Sequence, residues 1–157
     1  MKLKFRLVWV LAMGLALSAC EKETGCKNVA PADEETVLRN YISSKGYTAE
    51  KHSSGLLYQI INPGTGAKPT INSQVFVSYR LLKLDDTQLE LVVNPATTGF
   101  GLNSLVEAWK IGMPLIAAGG SIRLFCPSSL AYGCQGSPPN IPANTPLFFE
   151  ISLASFR

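Results

Sequence analysis

Hydrophobic and polar residues follow three successive patterns along this chain. Leu7 to Leu17 is a nearly unbroken apolar run behind Lys2, Lys4 and Arg6. Between Pro31 and Gly46 the apolar residues Val37, Leu38, Tyr41 and Ile42 recur at helical spacing. Proline is tolerated at the first helical position, Asp33, Glu34 and Glu35 fill the first turn, and Gly46 follows Lys45 as a stop. The pattern predicts a helix whose apolar stripe packs against the rest of the domain. From Gly55 the period changes to that of strands. Leu57 to Ile61 runs into Asn62-Pro63-Gly64-Thr65-Gly66, a turn by its Pro and Gly chemistry. Val75 to Leu82 alternates, with Val75, Val77, Tyr79 and Leu81 on one face. Leu84 to Gln88 reads as a hairpin tip, Leu89 to Val93 as its return, and Ile122–Phe125 and Leu147–Leu153 as the last strong strands.

Five glycines from Gly99 to Gly120 punctuate the middle, and one short helix is expected around Glu107 to Ile111. No internal repeat is present, and no second helical block is long enough for a βαβ series. The expected fold is α+β: an antiparallel β-sheet wrapped around a short central helix, with an N-terminal helix.

The first apolar run is shorter than the roughly 20 residues a spanning helix needs, so it reads as the hydrophobic region of a signal peptide. Leu17-Ser18-Ala19-Cys20 has the form of a lipobox. Processing there would remove residues 1–19 and acylate Cys20, giving a protein exported and lipid-anchored to the bacterial cell envelope. The expected organisation is signal peptide 1–19, lipidated tether 20–30, N-terminal helix and linker 31–54, and main domain 55–157. All three charges in the leader are basic, so the mature remainder carries 11 basic and 11 acidic residues. The overall excess of three positive charges therefore belongs to the leader, and nothing points to nucleic acid.

Export permits disulfides. Cys126 and Cys134 bracket the Pro127–Gly133 turn and are the expected pair, with two small buried thiols as the alternative. Cys26 is left without an assigned role.

Several chemistries have little support. The single histidine, His52, lies in a polar stretch read as a solvated loop, so a metal cluster or a Ser-His-Asp triad cannot be built around it. No Cys-x-x-Cys pair, phosphate-binding loop or dinucleotide fingerprint occurs, and no cofactor is expected. Asp85 and Asp86 read as solvated turn carboxylates. What the chain does carry is a set of aromatic and branched residues: Tyr79, Phe100, Leu105, Val106, Trp109, Tyr132, Ile141 and Phe149.

The order of these residues resembles the FKBP-type peptidyl-prolyl cis-trans isomerases over roughly Gly55 to Phe156. The resemblance rests on Val75-x-Val77-x-Tyr79, on Phe100-Gly-Leu-Asn-Ser-Leu-Val-Glu-Ala-Trp109, and on Leu130-Ala-Tyr132-Gly133 ahead of a Gly/Pro-rich loop and a final strand. It implies a proline pocket with Trp109 as floor and Tyr79, Phe100, Leu105, Ile141 and Phe149 as walls. It also implies that the Val106 N–H donates to a substrate carbonyl and that the Tyr132 hydroxyl lies over the substrate. Proline-containing polypeptides would be the partners, and macrolide inhibitors could compete with them.

The chain departs from the family pattern in places. Leu89-Glu90 stands where Phe-Asp is usual, which weakens one aromatic wall and lengthens a carboxylate. Leu105-Val106-Glu107-Ala108-Trp109 lacks the usual Pro and Gly, and the loop after Tyr132 contains Cys134 and Ser137. Leu89 and Glu90 keep a second reading open, a proline-peptide-binding chaperone or assembly module with little turnover.

Overall fold

The computed structural model describes residues 25–95 and 99–157. The leader, its lipobox and Cys20 lie outside the described residues. Helix α1 (Pro31–Ser44) comes first, followed by β1 (Glu50–Lys51), β2 (Leu57–Asn62), β3 (Gln74–Lys83), β4 (Gln88–Val92) and β5 (Phe100–Gly101). The short helix α2 (Glu107–Gly112) precedes β6 (Ser121–Cys126) and β7 (Leu147–Phe156). All neighbours in the sheet are antiparallel, in the order β1-β2-β6-β7-β3-β4, with β5 beside β3. This is the expected α+β architecture.

Strand alternation sends side chains to two cores. On one face of the sheet, Val75, Val77, Leu81, Ile122, Leu124, Phe149, Ile151 and Leu153 pack with Ala108, Trp109 and Met113 from α2 and its C-terminal turn. On the other face, Leu57, Leu82, Phe125 and Phe148 pack against Leu38, Tyr41 and Ile42 of α1. Phe125 and Phe148 stack at 5.1 Å between centroids, and both rings meet Tyr41 and Tyr47. Burying each of the three α1 side chains contributes about 1.5–3 kcal/mol, so the helix is held by packing more than by propensity.

The apolar stripe of α1 is narrower than its sequence suggests. Val37 is 46% exposed, whereas Glu34 is buried at 7% and its carboxylate accepts the Ser128 N–H at 2.6 Å. The helix stops as expected. Gly46 takes φ +64°, and the Tyr47 N–H returns to the Ile42 carbonyl at 3.0 Å. Asp86 does more than solvate the β3–β4 turn. It accepts the Tyr41 hydroxyl at 3.0 Å and pairs with Lys45, joining that hairpin to the end of α1.

The expected Cys126–Cys134 bridge is not formed. Cys134 bonds Cys26, 108 residues earlier, with Cα atoms 5.5 Å apart, and Cys126 is a free buried thiol. Cys126 continues the inward-facing series Ile122, Leu124, Cys126 on β6, so its side chain is fully buried in the core, whereas Cys134 is half-buried on its loop beside Cys26.

Closing so long a loop restricts the unfolded chain, and reducing the Cys26–Cys134 bond should lower unfolding stability by on the order of 3–5 kcal/mol. Urea unfolding with and without reductant measures the difference. Cys26→Ser should match the reduced protein, and a Cys26→Ser variant as stable as the oxidised chain would contradict this pairing.

Candidate functional site

The site forms where α2 meets the sheet. Leu105 and Val106 are extended, with Val106 at φ −61° and ψ 154° immediately ahead of α2, and Pro114 two residues beyond the helix prevents its continuation. Gly112 lets the helix sit close to β6, since a Cβ there would lie 2.6 Å from Leu124 Cδ2. This close seating brings Trp109 down onto the sheet, where it is 4% exposed.

Trp109 meets Tyr79 edge-on at 5.1 Å and 88°, and Phe149 at 5.7 Å and 86°. Tyr79 in turn meets Phe100 at 6.4 Å and 75°. Such edge-to-face pairs suit the ring quadrupoles and hold the rings in defined orientations.

These rings enclose a cavity of about 70 Å³, lined by Tyr79, Glu90, Phe100, Leu105, Val106, Trp109, Tyr132 and Phe149. All eight belong to the ten residues expected from sequence. The other two, Leu89 and Ile141, line an adjoining cavity of about 150 Å³, to which Glu90 and Tyr132 also contribute. Glu90 and Tyr132 thus stand between the two spaces. Among the described residues, no lysine or arginine forms an ion pair with Glu90, and the Val106 N–H has no hydrogen-bond acceptor.

The cavity combines apolar walls with a few polar atoms. Burial pushes the Tyr79 hydroxyl well above the usual tyrosine range, and the Glu90 carboxylate beside it adds to the shift. Tyr132 is raised for the same two reasons, burial first and Glu90 second. Both hydroxyls therefore remain protonated donors at neutral pH.

Tyr132 sits on a loop with little regular structure, between 3₁₀ turns at Ser128–Leu130 and Gly133–Gln135. That loop is held from behind by the N-terminal segment. The Cys134 N–H donates to Asn28 Oδ1 at 2.8 Å, Asn144 Nδ2 donates to the Lys27 carbonyl at 3.3 Å, and the disulfide lies alongside. Gly133 has φ +56°, and a Cβ there would lie 2.5 Å from Asn28 Oδ1, so a side chain at this position would displace the segment. Sequence reading missed Cys26 and Asn28 as the residues that position this loop. One clue was available: three cysteines remain after Cys20, and strand parity sends Cys126 inward.

The fold and site have counterparts among known proteins. A family model described as FKBP-type peptidyl-prolyl cis-trans isomerase matches residues 65–154. An FKBP-type isomerase, FkpA, from Aeromonas hydrophila is 41% identical over 107 residues, covering 66% of this chain and 39% of that protein. FK506-binding protein 4 from Dictyostelium discoideum is 37% identical over 106 residues, covering 65% and 28% respectively. The crystal structure of a peptidyl-prolyl isomerase from Pseudomonas syringae superposes with a TM-score of 0.67 at 27% identity, over 83% of this chain and 98% of that one. The chain belongs to the FKBP-type peptidyl-prolyl cis-trans isomerase family. It spans less than half the length of these two sequence relatives.

Alkaline titration checks the environment of Tyr79. The unfolded tyrosine loses its proton near pH 10, about its ordinary value, while the folded residue holds its proton to higher pH. The resulting stability is complete below that pH and declines as pH rises above it. Tyr79→Phe should make the fall in urea-unfolding stability above pH 10 shallower. An unchanged slope would show that the hydroxyl is not held protonated by the fold.

Proposed function

We propose that this chain is a peptidyl-prolyl cis-trans isomerase that assists the folding of exported proteins by taking X-Pro segments into the aromatic cavity. The observation that carries the reading is a cavity lined by Trp109, by rings from three separate strands and by Tyr132, in a chain of this family.

The barrier to rotation, about 18–20 kcal/mol, comes from resonance in the C–N bond. A planar amide is more dipolar than a twisted one, so apolar walls that exclude water disfavour the planar ground state relative to the twisted state. Trp109 would support the proline ring, with Tyr79, Phe100, Leu105 and Phe149 as its walls. The Tyr132 hydroxyl would donate to the carbonyl of the rotating amide, and the Val106 N–H to the next carbonyl along the peptide. Neither group changes its protonation state, and no bond other than the amide torsion alters. The product is the same peptide in the other isomer, reached faster than the uncatalysed tens to hundreds of seconds.

A second reading, a proline-peptide-binding chaperone with little turnover, is favoured by Leu89 and by the longer carboxylate of Glu90. The similarity to an FK506-binding protein of Dictyostelium also supports the same cavity as a site for an FK506-type macrolide, which would compete with peptide.

An isomerase assay on a proline tetrapeptide separates the readings. Wild-type protein should accelerate the exchange and lose the acceleration with FK506. Trp109→Leu, which partly keeps the volume, should abolish activity while the domain stays folded. Tyr132→Phe should cost about 0.5–1.5 kcal/mol of activation free energy with stability nearly unchanged. A folded Trp109→Leu variant with full activity would show that the floor is elsewhere. Binding without acceleration in the wild type would leave the chaperone reading.

The leader carries the proposed location. Acylation at Cys20 would anchor the domain to a membrane of the cell envelope, with the acyl chains supplying the binding energy. Mass spectrometry of the mature N-terminus should show acylated Cys20, and Cys20→Ser should move the protein from the membrane fraction to the soluble one. A wild-type protein that fractionates as soluble would rule the anchor out.

A further inference from the structure

The wall that separates the two cavities also suggests which peptides this site accepts. Glu90 and Tyr132 border both spaces, and among the described residues Glu90 is the only charged one lining either. Its side chain is exposed and, among the described residues, no cation pairs with it. The second cavity is roughly twice the volume of the first. It is lined mainly by polar groups, with Glu90, Tyr132, Ser137 and Asn140 around it and a smaller apolar side at Leu89 and Ile141. A space with an apolar side and, at its edge, a carboxylate that has Tyr79 beside it but no cationic partner among the described residues matches a long side chain that buries its stem and keeps a cationic tip in water.

We infer that the second cavity is a specificity subsite for the residue preceding the proline and selects lysine or arginine there through Glu90. The inference rests on the isomerase reading in one respect. If Tyr132 donates to the carbonyl of the rotating amide, that carbonyl belongs to the residue before proline, and its side chain lies at the wall shared by the two cavities. The aliphatic stem then runs along Leu89 and Ile141, and the cation meets the Glu90 carboxylate. Leu89 becomes part of this selection, because a planar ring there would cover the surface the stem uses. An acidic residue in the same position would face Glu90 with like charge.

An exposed ion pair is weak, so the expected discrimination is modest, about fivefold between lysine and leucine and more between lysine and glutamate. Three tetrapeptides, Ala-Lys-Pro-Phe, Ala-Leu-Pro-Phe and Ala-Glu-Pro-Phe, would be compared by exchange NMR, which needs no coupling protease. Both the catalysed exchange rate and the peptide Kd would be read. The wild type should rank lysine over leucine over glutamate, with the spread shrinking at 0.5 M salt, where the Debye length is only a few ångströms. Glu90→Gln should remove the ranking whatever it does to the overall rate. Glu90→Lys should invert it, and Glu90→Asp should retain it. Equal values for the three peptides in the wild type, or a ranking that survives in Glu90→Lys, would overturn the assignment. If the leucine peptide is not accelerated at all, the isomerase reading fails, and the order of the three Kd values still decides the charge selection.

Discussion

The seating of a single tryptophan on the sheet governs much of this molecule. Trp109 lies across the face of the paired strands β3 and β7, touching Tyr79 on one and Phe149 on the other. It can reach that depth because Gly112 leaves room for the six-residue helix to lie against Leu124. A helix so short has no independent stability in water, so the same contacts that close the core also create the helix. Core and cavity therefore share one set of interactions. The ring that seals the hydrophobic interior presents its other surface to the cavity, and rigidity there comes from packing density rather than from a separate scaffold.

The opposite face of the sheet shows a different solution. Near α1 it is apolar, and Phe125 and Phe148 provide a stacked platform for the helix. Further along, the outward positions of β3, β6 and β7 carry Arg80, Arg123 and Glu150. There Arg123 Nε donates to Glu150 at 2.7 Å, and the Arg123 guanidinium lies 4.1 Å from the centre of the Tyr47 ring. Charge-assisted bonds and a cation over a ring let that half of the face stay wet without a covering helix. The two halves divide along the strands, so α1 has one place to dock.

How far this could be read in advance depended on the range of each interaction. Strands with one buried face declare themselves through a period of two, which is why Val75, Val77 and Leu81 were placed correctly and Tyr79 was expected beside them. The end of α1 at Gly46 was legible because a left-handed residue there is a local requirement. The aromatic cavity was legible through the family resemblance more than through spacing, since rings at those positions also suit an ordinary core. Features created by tertiary contact left little local trace. Glu34 reads as a first-turn acid that favours the helix dipole, yet it is buried to receive Ser128. Asp86 reads as a turn residue, yet it joins the hairpin to Tyr41 and Lys45. The disulfide was misassigned because closeness in sequence was weighed above the direction in which a strand side chain points.

The true partner of Cys134 also sets a working radius. If Cys20 carries acyl chains as proposed, only five residues, six Cα-to-Cα steps, separate the lipidated cysteine from the half-cystine at position 26. Even fully extended, that leash spans roughly 20 Å. It is attached at the loop behind Tyr132 and not at α1, whose first residue is eleven positions from Cys20 and would allow nearly twice the reach. Under that proposal, the bond would keep the loop bearing Tyr132 within the same short distance of the bilayer. A domain held this way would sample a thin layer above the membrane, where it would meet polypeptides at or emerging from the surface far more often than those free in the surrounding solution.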